Sequence, residues 1–330
     1  MKKDLDLQLS IIVPVYNVEK YIRPCFESIF NQGLNDTDYE IIIVNDGTKD
    51  KSMEMIDDII SQYHNITVIN QENQGVSIAR NNGIAAAKGE YILMLDSDDL
   101  LIENSLKPLL EKALEYQVDL ITANFLKMTD EQIKNLQDIP HREFSIQEKT
   151  GEQLFLEDLN PHECYVWHTL YRRDFIFNNE LKFIRGVLWQ DVPFTHEAYI
   201  KAKRCITTPW LLNIYRTGRP GAASVLFDKK KANDCIIVIS KTWELTKLNA
   251  LSPEVLYKLK NNIFTTFSVF VNKTYFEIKD DKYRVFLLKE LRKQSPDLFF
   301  SRGLNQWIYS ILLRFFPDLL FNLIKLKKNI

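Results

Sequence analysis

Asp96-Ser97-Asp98-Asp99 crowds three carboxylates into four consecutive residues of a 330-residue chain. Such crowding is unfavourable unless a cation or hydrogen-bond donors offset the repulsion. Hard oxygen ligands of this kind suit Mg²⁺ or Mn²⁺, which complete their shells with water and substrate phosphates. A metal-bound diphosphate is the chemistry this pattern points to. The competing use is structural: Ser97, Asp98 or Asp99 would cap a helix over about residues 102–116, although one such residue suffices for a cap. An EF-hand loop is excluded, because Leu100 and Leu101 stand where a ligand and a glycine are needed. Neither a Gly-x-x-x-x-Gly-Lys-Ser/Thr run nor a Gly-x-Gly-x-x-Gly run occurs, so the P-loop and dinucleotide modes are excluded too.

The residues around this run must be positioned by alternating strands and helices. Apolar, β-branched runs predict strands over 9–15, 39–44, 66–70, 91–95 and 119–123, their continuity suggesting burial on both faces. Asn17 can cap a helix whose apolar positions run from Val18 to Phe30 at i, i+3, i+4 spacing. A second helix is carried by Met53, Ile56, Ile59, Ile60 and Tyr63. A third spans residues 78–87, with Gly89 where a left-handed C-cap would fall. The alternation predicts a doubly wound, mostly parallel α/β sheet. Ligands in such sheets bind beyond the carboxyl ends of the strands, where Tyr16-Asn17, Asn45-Asp46-Gly47-Thr48, Gln71 to Gly75 and Asp96 to Asp99 all fall.

Composition narrows the partners. Forty-two Lys plus Arg against 44 Asp plus Glu give a formal charge of −2, so no basic field exists to hold a nucleic acid. Cys25, Cys164, Cys205 and Cys235 lie far apart and read as buried small hydrophobes in a reducing compartment. The N-terminal Met1-Lys2-Lys3 is followed by Asp4, Asp6 and Gln8 rather than an apolar signal core, so a cytoplasmic location is expected. The most apolar stretch, residues 307–324, is interrupted by Arg314, Pro317 and Asp318, too soon for a spanning helix. The five histidines have no metal-binding spacing and are assigned no metal.

Ile12-Val13-Pro14-Val15-Tyr16-Asn17, Val44-Asn45-Asp46-Gly47-Thr48, Asn73-Gln74-Gly75 with Ala79-Arg80-Asn81, and Gly89-Glu90-Tyr91 leading into Asp96-Ser97-Asp98-Asp99 together resemble the family 2 glycosyltransferases of GT-A fold. The resemblance covers about residues 8–225 and is densest between Leu9 and Leu101. It implies that Pro14, Val15 and Tyr16 line a base and ribose pocket, that Asp46 accepts a hydrogen bond from uracil, and that Arg80 lies near the diphosphate. Asp96 and Asp98 would be the Asp-x-Asp pair binding Mn²⁺ or Mg²⁺, with Asp98 the direct ligand and Asp96 and Ser97 nearer the ribose and donor sugar.

Val166-Trp167-His168, Leu170 to Phe175 and Trp189-Gln190-Asp191-Val192-Pro193-Phe194 resemble the acceptor half of polysaccharide-building members. There a Glu-Asp pair is common; here Gln190 replaces the glutamate and Asp191 remains as the expected general base. An N-cap is the structural alternative for Asp191, and core packing the alternative for Trp189. Tyr215-Arg216 and Arg219 to Ser224 resemble a segment that closes over the diphosphate. The resemblance implies an inverting, metal-dependent transfer from a UDP-sugar to a saccharide or polyprenyl-linked glycan in cell-surface polysaccharide synthesis, at the inner face of a bacterial membrane. A nucleotide-sugar-binding partner subunit and a sugar nucleotidyltransferase are the competing readings.

The expected organisation is a transferase domain over 1–225, with its nucleotide half to about 125 and its acceptor half over 126–225. A helical appendage follows over 226–330. Trp307 to Lys328 mixes bulky apolar residues with Arg314, Lys325, Lys327 and Lys328, a pattern that suits either a helix in an anionic membrane interface or a packed helix pair. Pro317 would kink or split it.

Overall fold

The computed structural model describes residues 7–136, 139, 144–219, 227–249, 251–298, 303–317 and 319–321. The chain forms two compact units, one of Met1–Leu154, Tyr165–Gly186 and Ala198–Ala222, the other of Phe155–Cys164, Val187–Glu197 and Ala223–Ile330.

The first unit is built on a nine-stranded sheet: β1 (Leu9–Val15), β2 (Tyr39–Asn45), β3 (Ile66–Asn70), β4 (Tyr91–Met94), β5 (Leu100–Leu101), β6 (Leu120–Thr129), β7 (Gln147–Lys149), β8 (Thr169–Arg172) and β9 (Cys205–Thr217). The order is β3-β2-β1-β4-β8-β6-β9-β5, with β7 also on β9. Strands β1 to β4 pair in parallel, and β8 enters antiparallel between β4 and β6. All seven residues of β1 are buried, as are the first six of β2 and all four of β4, so these strands are sandwiched on both faces. The four helices that flank this half are α1 (Ile22–Phe30), α2 (Asp57–Gln62), α3 (Val76–Ala86) and α4 (Leu106–Tyr116). Ile22, Cys25, Phe26 and Ile29 of α1 pack into the same core cluster as Ile11, Val13 and Leu93.

Two local expectations are corrected. Asn17 does not cap α1: it adopts a left-handed backbone, and its Oδ1 accepts from Lys49 N at 3.1 Å, tying the loops after β1 and β2 together. Gly89 is not a left-handed cap either. Its backbone runs so close to β1 that a Cβ would collide with the main chain of Leu9 and Ser10, while its N–H donates to Ser10 Oγ at 2.8 Å. Gly89→Ala is therefore expected to cost about 1–3 kcal/mol, the range for forcing extra atoms into a packed site, read as a lower midpoint in urea unfolding.

The second unit is mainly helical, with helices at Lys229–Glu244, Pro253–Glu277, Asp281–Gln294 and Leu304–Phe315. Ser252 caps the second through Val255 N, with Pro253 in its first turn, and Asp228 and Asp280 cap their helices likewise. The helix Leu304–Phe315 stops two residues before Pro317, and residues 317 and 319–321 are helical again. Among the described residues no helix is long and apolar enough to cross a membrane. The four cysteines are free and buried.

Candidate active site

The ends of β1 and β2 are joined side by side, with Val15 paired to Asn45. Tyr16, the first residue beyond β1, is 41% exposed, an open aromatic face at a strand end. Pro14 is buried, and Val15 is fully buried in the core cluster. The Val15 carbonyl accepts from Asp46 N at 3.0 Å, which ties the end of β1 to Asp46. Asp46 sits beneath the loop that follows β3. Its Oδ1 accepts from Gln71 Nε2 at 2.7 Å and Gln74 N at 2.8 Å; its Oδ2 accepts from Gly75 N at 2.9 Å and, at 3.4 Å, from Asn73 Nδ2. Both oxygens thus have two donors each, the full capacity of a carboxylate. The left-handed Gly47 that follows lets the chain pass Asn73 N, which a Cβ would approach to 2.9 Å. Of the four donors, two are side-chain amides, Gln71 and Asn73, which can yield to a ligand while the Gln74 and Gly75 backbone bonds stay in place.

The acidic run follows β4 and alternates in exposure. Asp96 and Asp98 stay partly open, with side chains 29% and 23% exposed; Ser97 and Asp99 are buried. None of them caps α4, which begins seven residues beyond Asp99. Leu106 N is held instead by Gln32 Oε1 at 2.8 Å. The capping alternative is therefore removed, and the acids are held by arginines. Arg80, buried on α3, donates from Nη2 to Asp96 Oδ1 at 2.5 Å with its guanidinium over the Phe183 ring. Arg219 Nε lies 2.9 Å from Asp98 Oδ2. Arg216 donates its backbone N–H to Asp99 Oδ1 at 2.8 Å and its Nε–H to the Asp98 carbonyl at 2.7 Å, and pairs with Asp130. Both Arg216 and Arg219 lie over the ring of Tyr21.

Burial and the charge of Asp96 push the Asp98 carboxyl up, against the pull of Arg219. Burial and the charges of Asp98 and Asp96 push Asp99 well up. Asp99 Oδ2 is buried with no hydrogen-bond partner among the described residues. Excess negative charge on two partly exposed oxygen donors fits a hard divalent cation. Among the described residues no group of three or more such ligands is assembled, so Asp96 and Asp98 would need water or substrate phosphate to complete a shell, the usual arrangement for Mg²⁺.

In the second unit, Asp191 is the first residue of the helix Asp191–Lys201, and its Oδ1 accepts from Val192 N at 3.1 Å. The turn before it is held firmly. Leu188 N donates to the buried Asp234 at 3.1 Å, and Trp189 adopts a left-handed backbone with φ of 56°. Trp189 stacks on Phe227 with centroids 6.2 Å apart, and Lys273 lies over both rings. Gln190 is buried, its Oε1 without a partner among the described residues.

One turn beyond Asp191, His196 is wholly buried. Its Nδ1 lies 2.8 Å from the Val192 carbonyl, an acceptor, so Nδ1 carries the proton and Nε2 accepts from Asn262 at 3.1 Å. Burial lowers its pKa to about 4. The unfolded chain takes up that proton near 6.5, so the folded state binds fewer protons in between. Stability is fully present above about 6.5 and falls, by about 1.4 kcal/mol per unit, as pH drops toward 4. Urea melts across that window should show the slope in the wild type and a smaller one in His196→Gln.

Residues 10–177 match the model of glycosyl transferase family 2. The chain belongs to this family. Similar proteins include the uncharacterised glycosyltransferase EpsJ of Bacillus subtilis, 36% identical over 63% of this chain and 60% of EpsJ, so the match spans about three fifths of that relative. Glycosyltransferase GlyG of Streptococcus pneumoniae is 32% identical over 75% of this chain and 83% of its own length. The solved structure of S. aureus TarS 1-349 in complex with UDP-GlcNAc shares the fold, with a TM-score of 0.72 at 19% identity over 98% of this chain and 92% of that one.

Of the family 2 motif residues, the structure gathers Asp96, Asp98 and Arg80 into one cluster and sets Asp46 under the 71–75 loop. Tyr215 and Arg216 belong to β9 rather than to a mobile cover, and residues 220–224 of the expected closing segment lie outside the described residues. The sequence gives no sign of the Tyr21 ring beneath two arginines, or of the pairing of Gln71 with Asp46. Tyr21 fits the apolar period of α1 and gave no local sign of this second use.

Proposed function

We propose that this family 2 chain is an inverting, metal-dependent glycosyltransferase moving a sugar from a nucleotide-diphospho-sugar, a UDP-sugar, to a saccharide or polyprenyl-linked glycan in cell-surface polysaccharide synthesis. The observation that carries this reading is the pair of partly open carboxylates, Asp96 and Asp98, each held by an arginine at the end of a sandwiched strand. The UDP-GlcNAc complex of the similarly folded TarS supports UDP as the nucleotide.

Tyr16 offers its exposed ring to the base, and Asp46 accepts from the base edge in place of the Gln71 amide. The chain near Pro14 and Ser97 shapes the ribose pocket. Asp98, with Asp96, would hold Mn²⁺ or Mg²⁺, which when bound supplies positive charge against the leaving diphosphate. Arg80 keeps Asp96 in place beside that diphosphate. Asp191 takes the proton from the acceptor hydroxyl as its oxygen bonds to the anomeric carbon. The bond from that carbon to the diphosphate breaks, and UDP leaves from the opposite face with inversion.

The helix Leu304–Phe315 and the residues after it suit peripheral contact with a membrane: Leu304, Trp307, Phe315, Phe316 and Leu319 are exposed, with Arg314 among them. Lys325, Lys327 and Lys328 lie outside the described residues. A cytoplasmic enzyme resting on the inner face of the membrane would meet a lipid-linked acceptor there.

A panel of UDP-sugars incubated with Mn²⁺ and soluble or polyprenyl-linked oligosaccharides tests the proposal. Release of UDP with a product of inverted anomeric configuration by NMR is expected. Pyrophosphate formed from UTP and a sugar phosphate, with no UDP release, would contradict it.

A further inference from the structure

Strands β6 and β9 carry a set of aromatic rings that the donor site does not use. Their parallel register sets Phe125 opposite Asn213 and Lys127 opposite Tyr215, so all four share one face of the sheet. On that face Tyr165 stacks on Trp167 with centroids 4.7 Å apart and planes 12° apart, and Trp167 stacks on Tyr215 at 5.3 Å and 25°. Phe125 meets Trp167 edge-on at 4.8 Å. Trp167 is buried as the floor, while Phe125, Tyr165 and Tyr215 are half-buried. The exposed Lys127 places its ammonium 5.8 Å from the ring centroids of both Phe125 and Tyr165.

Rings locked against one another cannot turn aside, so they present a rigid apolar surface at little entropic cost on binding. Its position is specific. Tyr215 directly precedes Arg216, whose backbone N–H donates to Asp99 Oδ1 at 2.8 Å, so this end of the wall lies beside the acidic run, with the Arg216 side chain on the opposite face of the strand. Burial, then Tyr165 and the charges of Asp99, Asp96 and Asp98, raise the Tyr215 hydroxyl to about 12. A pyranose is amphipathic in the matching sense, with C–H groups on its faces and hydroxyls around its rim. An aromatic wall edged by an ammonium and a phenol is complementary to it.

We propose that Phe125, Tyr165 and Tyr215 form the acceptor subsite, binding a pyranose ring of the acceptor saccharide by stacking while Lys127 and the Tyr215 hydroxyl contact its rim. This rests on the glycosyl-transfer reading above and names where the second substrate sits.

Saturation-transfer NMR on the full chain tests it, with methyl α- and β-glycosides of glucose, galactose and N-acetylglucosamine as probes and excess UDP and Mn²⁺ present to fill the donor site. Transfer to the C–H protons of one ring face of at least one probe is expected. It should weaken about fivefold or more in Tyr165→Ala and persist in Tyr165→Phe, which keeps the ring and reports on a preserved fold. Absence of transfer to every probe, or transfer unchanged in Tyr165→Ala, overturns the subsite. The UDP-induced thermal shift of the same samples reports the donor site separately: its loss in the wild type would sink the donor reading, while the saccharide signal still decides the wall.

Discussion

Asp191→Asn is expected to lower turnover by about 10²–10⁴-fold, the usual contribution of a positioned general base, and to leave UDP binding unchanged. The replacement is nearly isosteric, and its amide oxygen can still accept from Val192 N as the carboxylate does at 3.1 Å. What it cannot do is take a proton from an attacking hydroxyl. Single-turnover transfer measured beside UDP affinity separates the outcomes. A fall in the chemical step with donor affinity intact assigns the base. Full activity in the variant would show that another group accepts the proton.

Asp98→Asn should cost about 10²–10³-fold in turnover, the scale of one lost electrostatic contact to developing charge, together with the Mn²⁺-dependent part of UDP binding. The fold is not expected to suffer. Burial and Asp96 both disfavour the ionised Asp98, so neutralising it relieves repulsion as it loses the pair with Arg219. Calorimetric titration of UDP with and without Mn²⁺ checks this. Equal Mn²⁺ dependence in wild type and variant would remove Asp98 from the metal site.

The parallel half of the sheet was readable because its strands are buried on both faces and therefore appear as unbroken apolar runs. Strands β1 and β3 begin and end where the sequence places them, and β2 and β4 differ by one residue. The acidic run was readable because three carboxylates so close together have few structural uses. Beyond residue 123 legibility fell for physical reasons. Strand β6 continues to Thr129 in a half that alternates in exposure, β8 has four residues, and β9 contains Pro209 where its register with β6 shifts between Thr122 and Asn124. A proline inside a run argues against a strand, and here the irregularity absorbs it. The pairing of Asp99 with Arg216 joins residues 117 apart, and the second unit draws in residues 155–164 and 187–197. Neither leaves a local signature. Asp46 shows a subtler limit: its type and place at the end of β2 were visible, whereas the four donors that hold it come from a loop 25–29 residues later.

A thermal-shift panel of UDP, GDP, CDP and TDP on the wild-type chain, each with and without Mn²⁺, tests directly whether Asp96 and Asp98 hold a metal-dependent donor site. A nucleotide at about 100 times its dissociation constant adds about 2.7 kcal/mol, or about 2–4 °C in a protein of this size. A shift with UDP that requires Mn²⁺ is expected. A UDP shift indifferent to Mn²⁺, or none with any nucleotide, would contradict a metal-dependent donor site at Asp96 and Asp98.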